Sequence, residues 1–388
     1  MSLRTTLAVP LAWRQLRHEP GRLAAALAGI AFAVVLVFMQ FGFNAALFES
    51  NVRIHSRLVA DLVLVSPRTT HFAAAWSFPR RRVYQALGIE GVRSVAFLRV
   101  GMVPLKDPAT GVMRDVLAVG IDPTTRVLDL PEIDASLGRI RRHDTFVFDR
   151  AARPELAPTT IALEHGPTTR ELGHRRATLD GLFTLGTSFG IDAVLVGSDT
   201  NFLRVLPTRT PAQAELGLVR LTPGANAGAV RAALRAAVPD DVEVLTKPEL
   251  IAREKTYWRE ITPIGYVISV SLTMAWVVGA VFVYQVLYTN VASNLASYAT
   301  LKAMGFSDAW LFGVVVQQAV ILAVLAFLPG LGVAAYLYRT AGAATRLPME
   351  LTLGTAVRVL GFTVAMCAAA GTLAARPVRH ADPADLVV

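Results

Sequence analysis

Four stretches of this chain stay apolar without a single charged side chain: Leu23 to Phe48, Ile261 to Leu301, Ala309 to Tyr338 and Val359 to Ala375. A helix needs about 20 apolar residues to cross a hydrocarbon core about 30 Å thick, where every backbone amide has to be paired within the segment. Three stretches meet that length outright. The fourth does so when read back to Leu351, which takes in only Arg358, whose long side chain can reach the headgroups. The expected fold class is therefore a membrane protein, an α-helical four-span bundle with a large α+β extracytoplasmic domain between spans 1 and 2.

Composition agrees. Charged residues make up 17% of 388, against about 25% in a soluble globular chain. A net charge of +9 could suggest nucleic acid, but residues 49–260 hold 28 basic and 24 acidic side chains, so the domain is close to balanced. Of the 38 basic residues only four are Lys. The run Arg80-Arg81-Arg82 reads as a solvated helix start, and no nucleic-acid partner is expected.

Basic residues do cluster where orientation is set, with Arg4, Arg14, Arg17 and Arg22 before the first span and Arg376 and Arg379 after the last. The positive-inside rule then puts both termini in the cytoplasm and the large domain outside. Ala31-Phe32-Ala33 resembles a signal-peptide cleavage triplet, but the apolar run continues past it, as in a retained anchor. The single cysteine, Cys367, lies inside the fourth span, which leaves no disulfide framework.

In chain order, residues 1–22 read as an amphipathic helix on the inner membrane surface, with Leu7, Val9, Leu11, Trp13 and Leu16 among the arginines. Spans are expected at 23–48, 261–288, 309–338 and 355–375. A cytoplasmic helix is expected at 289–308, a short outer loop at 339–354 and a tail at 376–388. The first span carries the small residues Ala25, Gly29 and Ala33 at a spacing of four, a stripe suited to close packing against another helix and a candidate for dimer packing. Leu47, Asn51, Ile54 and Leu58 keep helical spacing beyond that span.

Within 49–260, two similar β-α-β patterns bracket an insertion. Asp61 to Val65 and Val95 to Val100 read as strands around a helix at Arg80 to Leu87, and Leu216 to Leu221 and Val242 to Leu245 as strands around a helix at Ala225 to Val238. Residues 49–100 and 215–260 are thus expected to form one α+β subdomain, and 101–214 a β-rich second one. Residues 131–144 and 151–178 show no usable pattern. A helix opening at Lys247-Pro248-Glu249 is expected to run directly into the second span, with Tyr257, Trp258 and Tyr266 at the outer interface.

Signs of chemistry are sparse. Gly186-Thr187-Ser188-Phe189-Gly190 matches the G-x-S-x-G elbow of hydrolases, but a turn and strand follow it, and the only later histidine is His380, across the membrane. The sequence contains no G-x-x-x-x-G-K-[ST] phosphate loop, and its seven histidines lack metal-binding spacing. No catalytic residue, cofactor or metal is expected. The polar span residues Gln40, Asn44, Gln285, Gln317 and Gln318 include no carboxylate, which argues against an ion-coupled carrier.

One segment is unusual for a membrane loop. Asn294 to Gly305 reads as a short helix ended by Gly305, with Ser307-Asp308 starting the third span and Leu295, Tyr298, Ala299 and Lys302 on one face. In Ser297-Tyr298-Ala299-Thr300-Leu301-Lys302-Ala303-Met304-Gly305 the chain resembles the FtsX/MacB-like permeases of ABC transporters, most closely the DevC type, whose coupling helix follows E-I-G-x-x-[KR]-A-x-G. Lys302, Ala303 and Gly305 match, while Ser297 stands where glutamate is usual. Val9-Pro10-Leu11-Ala12-Trp13, Ala60-Asp61-Leu62-Val63-Leu64, Gly181-Leu182-Phe183-Thr184-Leu185-Gly186 and Ala381-Asp382-Pro383-Ala384 are also similar to DevC-type sequence.

The resemblance implies a non-catalytic permease subunit of an exporter in the bacterial inner (plasma) membrane. Its partners would be a separate ABC ATPase subunit, docked on Ser297, Tyr298, Leu301, Lys302, Ala303, Met304 and Gly305, and a periplasmic membrane-fusion adaptor leading to an outer-membrane channel. It further implies a homodimer, MacB-like porter (49–100, 215–260) and sabre (101–214) subdomains, and mechanotransmission that moves a lipid, glycolipid or other substrate. The alternative is a transmembrane regulator that activates a periplasmic cell-wall hydrolase.

Overall fold

The computed structural model describes residues 13, 20–107 and 110–375. The amphipathic segment expected at 1–22 falls almost wholly outside them, and the tail at 376–388 wholly. The chain forms two compact units, one of residues 1–45, 266–340 and 349–388, the other of 46–265 with 341–348.

The first helix, α1 (Pro20–Arg57), is unbroken over 38 residues, so its last turns belong to the inserted domain. It ends where Leu58 bridges Leu128, the Val59 amide donates to Val127 O at 2.9 Å, and Lys247 Nζ donates to Leu58 O at 2.9 Å. The domain then alternates strands and helices: β1 (Leu62–Val65), β2 (Phe78–Pro79), β3 (Val92–Lys106), β4 (Met113–Ile121) and β5 (Thr145–Asp149) come first. After α2 (Ala157–His165) follow β6 (Thr168–Leu172), β7 (Arg175–Phe183), β8 (Val194–Ser198) and α3 (Asp199–Val205). The segment closes with β9 (Gln213–Ala214), β10 (Leu216–Leu221), α4 (Ala227–Ala237), β11 (Glu243–Thr246) and α5 (Lys247–Thr256).

Nine strands form one mixed sheet in the order β11-β1-β10-β3-β4-β8-β5-β7-β6, and β2 pairs with β9 apart from it. A further pairing of Leu105 with Leu172 brings β6 back to β3, so the strands from β3 to β6 close into a small barrel. The long strand β3 serves both halves, pairing with β10 through residues 92–98 and with β4 through residues 98–106. The division expected at 100/101 therefore falls within one strand. The stretches 131–144 and 151–178, which lacked a pattern, hold short helices at Pro131–Asp134 and Leu137–Ile140, then α2, β6 and the start of β7.

All four residues of β1 are buried, because the strand is covered on both sides. Leu62 and Leu64 join the core under Val230 and Leu234 of α4. Val63 and Val65 meet Ile54 of α1, Leu58 just past its end, and Leu250 of α5. A third core packs Phe146, Phe148, Leu179 and Leu195 beneath Leu163 of α2 and Phe202 of α3. Helix starts follow their sequence signals: Asn226 Oδ1 accepts from the Gly228 and Ala229 amides, and Thr246 with Glu249 forms a capping box on α5.

The chain does not run straight from α5 into the next long helix. A π-helical turn at Tyr257–Ile261 is followed by extended Thr262, and α6 (Pro263–Ser293) starts afresh. Proline cannot donate an amide hydrogen bond and forces the residue before it out of helical geometry, so Pro263 sets the break at Thr262.

After α6 come α7 (Leu295–Ala303), α8 (Asp308–Thr345) and α9 (Leu353–Ala374). Helices α1, α6, α8 and α9 are long and apolar enough to cross a membrane. Small residues let them approach closely. A Cβ on Gly279 of α6 would stand 2.9 Å from Met366 Sδ and 3.3 Å from Ala33 Cβ, and one on Gly330 of α8 would stand 2.7 Å from Val34 Cγ1. The Tyr338 hydroxyl donates to Phe38 O at 2.6 Å and ties α8 to α1. On α6 the fully covered residues Val283, Leu287 and Val291 recur every fourth position, and the other faces of that helix are largely exposed.

In the inserted domain, the Glu254 carboxylate joins three segments. Its Oε2 accepts from the Phe72 amide at 2.9 Å and lies 3.5 Å from His55 Nε2 of α1, and its Oε1 accepts from Trp258 Nε1 at 2.9 Å. Burial pushes this carboxyl up, but His55, Trp258 and the Phe72 amide together outweigh it and hold the group below its ordinary value. A carboxylate with a depressed folded value stabilises above its unfolded value, and that contribution is lost as pH falls through the folded one. Glu254→Gln should cost about 2 kcal/mol at neutral pH. The gap from wild type should close on acidification through the folded value, as read by denaturant unfolding of the two proteins across pH.

Candidate functional site

Helix α7 sits in the short connection between α6 and α8, and its two ends are set by local chemistry. At its start the Tyr298 amide donates to Asn294 O at 3.1 Å. At its end Gly305 adopts φ +90°, the left-handed conformation that glycine takes without steric cost. The Phe306 amide reaches Leu301 O at 3.2 Å and the Gly305 amide reaches Lys302 O at 3.0 Å, the paired bonds of a Schellman stop. Chain direction is reversed within Met304 to Ser307, and the Trp310 and Leu311 amides then donate to Ser307 O to open α8. The rings of Phe306 and Trp310, 4.4 Å apart, brace the turn.

The face that sequence spacing assembles on α7 is the inward one. Tyr298 is 1% exposed and packs with Val291, Leu311, Val314, Val315 and Ala375. Its hydroxyl accepts from Gln318 Nε2 at 3.4 Å, and burial pushes it up to about 12, so it stays neutral. Ala299 is buried beside it. Leu301 and Lys302 are half-buried, and Lys302 Nζ lies 3.1 Å from Asp308 Oδ1 across the Schellman turn.

The outward surface is made of Ser297, Thr300, Ala303, Met304 and Gly305, with Met304 63% exposed. Tyr298 is buried, and its ring is the wedge that seats α7 on α8. Gln318 and Asp308, which hold the helix in place, lie outside the motif itself. The only sequence signal for them was a glutamine and an aspartate near the start of a span.

The remaining candidates resolve differently. Ala33 is buried against Gly279 of the same chain, Gly29 comes near Val286, and Ala25 is exposed, so the small-residue stripe of α1 is largely taken up by α6. Ser188 is 2% exposed in a loop whose amide donates to Ile191 O at 3.1 Å, and β8 follows rather than a helix, so the segment is not a nucleophile elbow. Among the described residues no group of three or more His, Cys, Asp or Glu is placed to hold a metal ion.

Tyr298→Ala should cost roughly 3 kcal/mol or more, since it empties a large buried site. Tyr298→Phe keeps the ring and should cost only about 1 kcal/mol. Amide hydrogen exchange across 295–303 checks both, with rapid exchange expected for the alanine variant alone.

No curated protein matches this sequence. Several solved structures show a partial likeness, two of them as follows. The periplasmic region of MacB from Actinobacillus actinomycetemcomitans is 10% identical at a TM-score of 0.36, covering 52% of this chain and 95% of that one. The extracellular domain of the noncanonic ABC-type transporter YknZ from Gram-positive bacteria is 12% identical at a TM-score of 0.32, covering 48% of this chain and 100% of that one. Residues 269–383 match the family model described as FtsX-like permease C-terminal, a range that takes in most of α6 and the whole of α7, α8 and α9. This part of the chain is therefore similar to the C-terminal region of FtsX-like permeases.

Proposed function

We propose that this chain is the permease subunit of an ABC exporter of the DevC type, and that its ATPase, a separate subunit, docks on the outward surface of α7. The carrying observation is the construction of α7 within the FtsX-like region: a nine-residue helix stopped by a Schellman turn, seated by Tyr298, and offering Ser297, Ala303, Met304 and Gly305 outward. Leu301 and Lys302 form the rim of that surface. A short, rigidly seated helix with an exposed methionine suits a docking role, since an apolar side chain at the centre of a contact is its main source of affinity.

In this reading both termini and α7 are cytoplasmic, and the inserted domain lies in the periplasm. The four-stranded part of its sheet with α4 and α5 corresponds to a porter, and the closed part with α2 and α3 to a sabre. A periplasmic adaptor and an outer-membrane channel complete the path, and the exported substrate is a lipid, glycolipid or other molecule handled on the periplasmic side. The uninterrupted α1 passes motion from the membrane helices to the domain.

The working unit is a homodimer. Its supporting observation is the exposed apolar face of α6, where Val267, Met274, Val281 and Tyr288 recur every seven residues with Val270, Val277 and Tyr284 between them. That spacing suits pairing with the same face of a second copy. Met274→Cys in a Cys367→Ser background should crosslink two copies in native membranes, and a strictly monomeric product would remove α6 as the contact.

Met304→Asp puts a charge at the centre of the docking surface and should leave folding unchanged, since the side chain is exposed. Permease-stimulated ATP hydrolysis by the co-purified ATPase should fall about tenfold or more, the equivalent of about 1.4 kcal/mol of lost contact. Wild-type stimulation in that variant would overturn the docking assignment.

A further inference from the structure

The loop joining β7 to β8 touches two helices and one buried carboxylate. On the barrel side, Asp149 at the end of β5 is fully buried. Its Oδ1 accepts from the Leu185 amide at 3.1 Å and the Ala151 amide at 2.9 Å, and its Oδ2 accepts from the Gly186 amide at 2.7 Å. On the α1 side, Arg53 Nη1 donates to Leu185 O at 3.3 Å, and its guanidinium occupies the space a Cβ on Gly186 would need. On the α5 side, a Cβ on Gly190 would stand 3.1 Å from the Trp258 ring, whose Nε1 is held by Glu254. The two glycines of the G-x-S-x-G sequence are thus the two points where the loop meets α1 and the turn following α5. Between these contacts lies a cavity of about 70 Å³ lined by Asn51, Ile54, Phe72, Ser188, Ile191 and Trp258. The middle of the loop is held as well, by Arg153 Nη2 donating to Ser188 O at 3.2 Å and Thr187 Oγ1 donating to Arg346 O at 3.3 Å, so the segment moves as one braced unit.

We propose that loop 185–191 is a feeler between α1 and α5, reading their separation at Arg53 and Trp258 and passing it through Asp149 to the closed part of the sheet. Its purpose rests on the coupling role proposed above, but the contacts that define it do not. A change in helix spacing shifts Trp258 relative to Gly190 or Arg53 relative to Gly186. The loop must follow, and the amides of Leu185 and Gly186 are the bonds that move with it. Coupling of this kind is reciprocal, so loosening the loop must loosen the spacing of the helices.

Both directions can be measured on the full chain in nanodiscs. Trp258→Ala removes the ring that Gly190 leans on and should raise amide exchange over 149–153 and 185–191 about tenfold. Trp258→Phe lacks Cη2 and Cζ2, the indole atoms nearest Gly190, and its exchange there should rise as well. In the reverse direction, spin labels on Ser56→Cys and Ala252→Cys, both exposed positions, report the distance between α1 and α5 in a Cys367→Ser background. Asp149→Asn should broaden that distribution. If Asp149→Asn does not fold, Gly190→Leu supplies the perturbation and should lengthen the distance. Unchanged exchange in Trp258→Ala, or an unchanged helix distance when the loop has been loosened or wedged, would overturn the proposal. Neither readout involves ATP hydrolysis, so such a failure leaves the Met304→Asp test of the docking surface standing.

Discussion

A backbone amide in hydrocarbon has no water to pair with, so a domain carried between two spanning helices has to be built from their ends. Its first strand, β1, and its last, β11, are paired neighbours. Lys247 at the start of α5 donates to the Leu58 carbonyl just past the end of α1, and Glu254, about two turns further on, is joined to His55 of α1. The domain therefore closes where it opens, and everything between β1 and β11 is an excursion from one anchored seam. That is why 212 residues can be inserted between two helices without separating their near ends.

The excursion is held by arginines more than by lysines. Arg99, fully buried in β3, donates to Thr210 O and Pro211 O and lies 3.5 Å from Asp199, which pins the 206–213 loop over the sheet. Arg204 clasps both oxygens of Asp144 at 2.7 and 2.8 Å, and that bonding holds the Asp144 carboxyl below its ordinary value while its backbone sits at φ +53°. Arg253 bridges Glu243 and the carbonyls of Pro67 and Thr69. A planar fork with five donors ties a loop carbonyl and a carboxylate in a fixed geometry that a lysine's single rotatable nitrogen does not impose.

Much of this was legible in sequence because the deciding quantities are local. The length of a charge-free run sets whether a helix can span, so α1, α6, α8 and α9 could be read directly. Gly305 announced the end of α7, and Lys247-Pro248-Glu249 announced the start of α5. What stayed hidden depends on distant partners. Spacing put Leu295, Tyr298, Ala299 and Lys302 on one face, but whether that face is covered depends on Leu311 and Val315 of another helix. The return of β6 to β3 rests on Leu105 meeting Leu172. The break at Thr262 was a local signal passed over, since the apolar run through Pro263 suggested continuity.

That break makes the two connections of the domain unlike. α1 is one continuous helix of 38 residues from Pro20 to Arg57. On the other connection, the π-turn and extended Thr262 interrupt the helix, and the Thr262 hydroxyl donates back to Trp258 O at 2.9 Å. The inserted domain is thus continuous with the helix that enters it and set off from the helix that leaves it by a break that proline defines.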